Sequence, residues 1–98
     1  MAVYSIWESY FPPEATVEGR DVTERIWEDM CNCDGYLGHE LLRDVDNPGH
    51  LLVVSRWESK EHADEVLADY KDHPNAAEAN RLVEKPRRRF VAEKLSSD

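Results

Sequence analysis

The hydrophobic pattern changes period within a few residues of Trp57, and that change constrains the architecture more than any other feature. His50 to Glu58 (HLLVVSRWE) is a nearly continuous apolar run of strand length. From Ser59 onward the pattern becomes helical, with Ala63, Val66, Leu67 and Tyr70 on one face. Ser59 suits the N-cap of that helix, and Glu61 sits near its positive end. The stretch marks the junction of a strand with a helix.

The remaining elements fall around this junction. Ala2 to Phe11 is rich in β-branched and aromatic residues and reads as a strand that Pro12-Pro13 ends. Residues 15–32 read as a helix, with Val22, Ile26 and Met30 recurring every fourth position beside Trp27. Asp34-Gly35 stops it, and Tyr36 to Val45 reads as a second strand. Asn47-Pro48-Gly49 predicts the turn into the strand His50–Glu58. Pro74 breaks the later helix and starts a short one with Ala79, Leu82 and Val83 inward. Arg87 to Leu95 reads as the last strand and 96–98 as a frayed tail, so residues 1–95 are expected to form one domain. The order β-α-β-β-α-β predicts a ferredoxin-like α+β fold, with a four-stranded antiparallel sheet and both helices on one face.

Charge narrows the partners. The chain of 98 residues carries a net charge of −9, which disfavours nucleic acid and anionic membranes. The basic run Lys85-Pro86-Arg87-Arg88-Arg89 reads as a solvated or ion-paired patch. No apolar run reaches membrane-spanning length and no signal peptide is visible, so a cytoplasmic protein is expected. Cys31 and Cys33 are too close in sequence to favour a disulfide and read as reduced thiols. No metal-ligand cluster, phosphate loop or Ser-His-Asp order is present, and neither metal nor cofactor is expected.

Strand alternation then assigns faces. Strand three presents Leu51, Val53, Ser55 and Trp57 on one side and Leu52, Val54 and Arg56 on the other. Pairing across an Asn-Pro-Gly turn groups the Trp57 set with Gly38, Glu40 and Leu42, and groups His39 and Leu41 with Arg56 and Val54; a bulge would break this grouping. Both faces are substantially apolar, yet two helices cover only one. A homodimer with sheets packed face to face is therefore expected, its interface formed by His39, Arg56, Leu41 and Val54.

Three stretches carry a resemblance. Asp34-Gly35-Tyr36-Leu37-Gly38 with Leu41-Leu42-Arg43, the junction Arg56-Trp57-Glu58-Ser59, and His73-Pro74 after the helix together resemble the antibiotic-biosynthesis-monooxygenase-like family of dimeric α+β barrels. The resemblance spans about the whole chain. It implies a shared barrel in the dimer and a pocket between helices and sheet in each subunit. Some members oxygenate polycyclic phenols or quinols with O₂ and no cofactor; others degrade haem. The tryptophan of the phenol oxygenases matches Trp57, but their asparagine falls on Val53 and their tyrosine on Ala63. The haem degraders' asparagine falls on Trp7, their helix tryptophan on Val66, and their ligating histidine near Asn75 or Ala79, so haem degradation is disfavoured.

On this basis the expected function is cofactor-independent oxygenation of a small aromatic or quinol-type compound, with a non-catalytic binding or structural dimer as the alternative. Trp57 is a candidate catalytic residue or pocket wall, against a plain core role. Glu40 is a candidate general base, against a solvated edge carboxylate. The expected substrate pocket comprises Trp7, Ser55, Leu42, Val53, Val66 and Tyr70. His39 becomes the acid/base candidate if the faces of strand two are exchanged. His50 and His62 read as solvated.

Overall fold

A computed structural model describes residues 2–97; Met1 and the tail's Asp98 lie outside the described residues. Strand β1 (Val3–Tyr10) leads through a single 3₁₀ turn at Pro13–Ala15 into helix α1 (Thr16–Met30). Strands β2 (Tyr36–Asp44) and β3 (Asn47–Trp57) form a hairpin, followed by α2 (Lys60–Tyr70), α3 (Pro74–Leu82) and β4 (Arg88–Ala92). The four strands are antiparallel in the order β2-β3-β1-β4. This is the ferredoxin-like arrangement predicted from the sequence, with the second helical segment divided at Pro74.

The elements begin and end for local reasons. The Ser59 hydroxyl accepts from the His62 amide at 3.2 Å and caps α2. His73 caps α3, its Nδ1 accepting from the Asn75 amide at 3.0 Å, with Pro74 in the first turn where a missing N–H costs nothing. The α1 stripe is buried as its spacing requires: Val22, Ile26, Trp27 and Met30 all face the sheet. They meet Leu51, Val53 and Trp57 of β3, closing one core on one face.

Two departures from the sequence reading set the geometry of the site. The hairpin turn is Val45-Asp46 rather than Asn47-Pro48-Gly49, since Asp44 already pairs with Asn47. Side chains rather than proline shape it: Asp44 Oδ1 accepts from the Asp46 amide at 2.8 Å and Asn47 Oδ1 from the Gly49 amide at 3.1 Å. Gly49 is required farther on, where a Cβ would stand 2.1 Å from the Phe11 carbonyl oxygen. The second departure is a bulge. Tyr36 pairs with Trp57 but Gly38 with Arg56, so β2 advances two residues while β3 advances one. Gly38 has φ +153° there, and its missing Cβ leaves room for the Arg56 guanidinium.

Between this bulge and a second register shift at Arg43/Asp44, every assignment on β2 is inverted. His39 pairs with Ser55 and Leu41 with Val53, on the helix-covered face. Glu40 pairs with Val54 and Leu42 with Leu52, on the open face. His39 and Leu41 therefore do not lie on the face that would meet a second sheet, whereas Arg56 and Val54 do.

The open face carries an apolar centre and a polar flank. Ile6 lies between Val54 and Phe90, and Leu42 and Phe90 are 43% and 47% exposed. At the flank His50 is half-buried, not solvated. Its Nε2 lies 2.8 Å from Glu8 and its Nδ1 3.0 Å from Asp44, while Tyr10 stacks on its ring. The bond to Asp44 first, then that to Glu8, pushes the His50 imidazole above its ordinary value against the opposing effect of burial. Both carboxylates are held below theirs, chiefly by His50. The imidazolium's contribution to stability is complete below its unfolded value of about 6.5 and is lost as pH rises through the raised folded value. The carboxylates' contribution is present above about pH 4 and is lost as pH falls through their lowered values. The thermal midpoint should fall more steeply on the alkaline side in the wild type than in His50→Gln. Parallel pH profiles from circular-dichroism melts would show that the cluster contributes nothing.

Candidate functional site

Between the covered face of the sheet and the three helices lies a cavity of about 610 Å³, open at one side. The strands supply Trp7, Val53 and Trp57. Ile26, Trp27 and Met30 of α1 form a second wall, and Val66 and Tyr70 of α2 a third. All three tryptophans of the chain line this one space. Its volume falls in the range of small-molecule sites, and its walls suit a flat aromatic compound.

The tryptophans are not equivalent. Trp57 is 1% exposed, and its indole N–H donates to Ser55 Oγ at 2.9 Å. Ser55 Oγ in turn donates to the Ser5 carbonyl at 3.1 Å. The only polar group of Trp57 is thus spent inside the protein, and none is left for a ligand. Ring contacts to Trp27 at 6.5 Å and edge-on to Tyr36 at 5.7 Å hold it in place. Trp7 is half-buried and stands nearer the opening, with the Arg87 guanidinium 4.7 Å over its ring.

Of the site residues predicted from the sequence, Trp57, Trp7, Val53, Val66 and Tyr70 line the cavity. Ser55 does not; it is fully buried behind Trp57. Leu42 and Glu40 lie on the opposite face of the sheet because of the bulge. Glu40 is exposed, so the apolar enclosure on which a general-base role depends is missing. His39, now on the covered face, does not reach the cavity. Its Nδ1 shares a 2.6 Å hydrogen bond with the Tyr36 hydroxyl, and its ring tilts against Trp27 at 5.3 Å.

Polar side chains line the space beside these apolar walls. The Tyr70 hydroxyl donates to Asp29 at 2.7 Å and accepts from Asn75 at 3.2 Å. Burial, and then its bond to the Asp29 carboxylate, pushes its pKa up to about 12, so it remains a phenol at neutral pH. Ser5 and Ser9 project from β1. Arg89 donates through Nε to Ser5 at 3.3 Å and pairs with Asp64 at 3.0 Å. Arg87 donates through Nε to Asn80 at 2.8 Å.

In the sequence Arg87 and Arg89 read as one surface patch. Alternation carried the missing signal: 87 and 89 share a face, and Arg89 pairs with Trp7 across β1 and β4. Asn80 carried no signal, since its neighbourhood depends on how α3 packs. Beside this space is an acid-rich depression lined by Asp29, Asp34, Glu65 and Asp69. No group of three His, Cys, Asp or Glu side chains among the described residues is arranged to hold a metal ion. No helix among them is long and apolar enough to cross a membrane.

Fold and cavity together define a class: a small ferredoxin-like α+β domain enclosing an aromatic-walled space between helices and sheet. The family model for antibiotic biosynthesis monooxygenase matches residues 2–82, and the chain belongs to that family. A point mutant of SnoaB, a cofactor-independent oxygenase from Streptomyces nogalater, shares the fold with a TM-score of 0.86 at 18% identity, covering 98% of this chain and 95% of that one. A crystal structure described as an antibiotic biosynthesis monooxygenase gives 0.84 at 16% identity, covering 96% and 99%. Rv0793 from Mycobacterium tuberculosis gives 0.81 at 21% identity, covering 99% and 98%. No curated protein matches the chain in sequence.

Proposed function

We propose that this protein is a cofactor-independent monooxygenase acting on a small aromatic or quinol-type compound, and that it works as a homodimer. The observation that carries the reading is the cavity of about 610 Å³ walled by Trp7, Trp27 and Trp57. Family membership and the fold it shares with SnoaB support it. In such a reaction a ring methylene becomes a carbonyl. Both C–H bonds are lost, one atom of O₂ enters the product, the other leaves as water, and the substrate supplies all the electrons.

The chain's part is to bind and orient the ring, to exclude water, and to favour the ionised, electron-rich form of the substrate. Trp57, 1% exposed, closes the inner end of the space and backs it, and the half-buried Trp7 is the tryptophan that presents its ring. The Trp57 N–H is committed to Ser55, so proton transfer through Trp57 is not part of this scheme.

A second reading has an observation of its own. Among the described residues no carboxylate or histidine projects from the inner walls, and Glu84, outside the regular elements after α3, is the one acidic residue lining the space. That arrangement suits a binding module that holds an aromatic compound without turning it over. An oxygen electrode with a panel of hydroquinones and anthrones separates the two. Oxygen uptake with conversion of an anthrone to its quinone, reduced severalfold or more in Trp7→Ala, is the expected result. Saturable binding without uptake across the panel would establish the binding module instead.

A further inference from the structure

The chain carries 21 acidic residues against 12 basic ones, yet the lining of the cavity reverses that balance. Lys71, Lys85, Arg87 and Arg89 line it, against Glu84 alone among the acids. These cations are not equally free. Arg89 is neutralised by Asp64 and held by Ser5. The Lys85 ammonium sits over the Tyr10 ring at 3.8 Å. Arg87 takes part in no ion pair among the described residues. It is nevertheless the fixed one: Nε is bonded to Asn80 Oδ1 and the guanidinium plane is supported by Trp7. Burial already disfavours its charged form. A positioned, half-dry guanidinium with no carboxylate partner is costly to maintain unless something anionic completes it.

We propose that Arg87 recognises an anionic oxygen on the aromatic ligand, so that the site selects ionised aromatic compounds over neutral ones of the same shape. The proposal rests on the aromatic-pocket reading above and names its ligand class. With Nε occupied by Asn80, the outer Nη groups remain to donate. Two parallel N–H groups match the paired oxygens of a carboxylate. The same donors would hold the single oxygen of a phenolate or enolate. Trp7 supports the guanidinium, so a ring entering along the tryptophan walls brings its substituent to the opening.

The test compares binding, not turnover. Anthraquinone-2-carboxylate and anthraquinone-2-carboxamide differ at one substituent and present the same ring to the walls. Calorimetric titration of the intact protein should show the carboxylate bound about tenfold or more tightly, a preference that falls with added salt. Arg87→Gln should abolish the preference and leave carboxamide affinity within about twofold. Asn80→Asp offers an independent check, because it places a carboxylate on Arg87 without removing it, and should abolish the preference as well. A 2-hydroxyanthraquinone titrated across its own ionisation separates the two anions: phenolate binding rises with pH, carboxylate binding stays flat.

Equal affinity for acid and amide in the wild type, or a preference that survives both variants, overturns the proposal. Failure of both compounds to bind overturns it together with the pocket reading. A preserved preference without oxygen uptake leaves it standing and removes only the oxygenase reading.

Discussion

Trp57→Ala is expected to destabilise the protein by about 3–5 kcal/mol, the cost of deleting a large aromatic from a packed interior. The residue is 1% exposed and lies where β3 ends, in contact with Trp27 of α1 and Tyr36 of β2. Its removal enlarges a space that is already partly empty, so neighbours have no dense wall to collapse onto. For a domain of this size each kcal/mol corresponds to about 4–8 °C in thermal midpoint, so the melt should shift by about 10 °C or more. Ser55 still donates to the Ser5 carbonyl in the variant, so no buried polar group is orphaned, and the loss reports packing. Trp57→Phe keeps most of the ring and should cost about 1–2 kcal/mol, which makes it the better variant for activity measurements. Urea denaturation of both variants is the measurement. A loss below about 1 kcal/mol for Trp57→Ala would show that Trp57 belongs to the ligand and not to the core.

That double role explains which parts of the site were legible in the sequence. Element order, the α1 stripe and the strand-to-helix junction follow from hydrophobic period alone, and the structure has them. The cavity walls were legible to the same extent, because Trp7, Val53 and Trp57 alternate on strands whose phase the sequence sets directly. The β2 contribution was not. Two register shifts, an extra residue at Leu37 accommodated by the backbone freedom of Gly38 and another between Arg43 and Asp44, bracket the segment in which Glu40 and Leu42 exchange faces with His39 and Leu41. A bulge of this kind leaves no mark in the hydrophobic period, because both faces of β2 are apolar in parts. Proline misled in a similar way. Pro48 reads as a turn residue, yet the turn forms two residues earlier, where Asp44 and Asn47 supply local acceptors. The basic run before β4 shows the converse. Its spacing was sufficient to place Arg87 and Arg89 on one face, but only the tertiary structure shows that Asp64 takes one and leaves the other without an ion pair among the described residues.

Ile6→Lys is expected to convert the proposed dimer, of twice 11.4 kDa, into a monomer of 11.4 kDa. Ile6 is central to the open face of the sheet, opposite Val54 on one side and Phe90 on the other. The helices cover only the reverse face, and the exposed Leu42 and Phe90 extend the apolar surface to either edge. A contiguous apolar patch of this kind, rimmed by Glu40, Arg56 and Arg88, is what an isologous sheet-to-sheet contact buries. In the monomer a lysine at this position reaches water and costs little. In a face-to-face dimer the two-fold axis brings two such lysines into one apolar layer without partners, a penalty of several kcal/mol. Sedimentation at micromolar concentration distinguishes the states. Glu40→Gln, at the rim beside Val54, should leave the dimer intact and serves as the control. A wild-type protein that sediments as a monomer would remove the dimer from the proposed function. It would leave the cavity unaffected, because the described walls all come from a single chain.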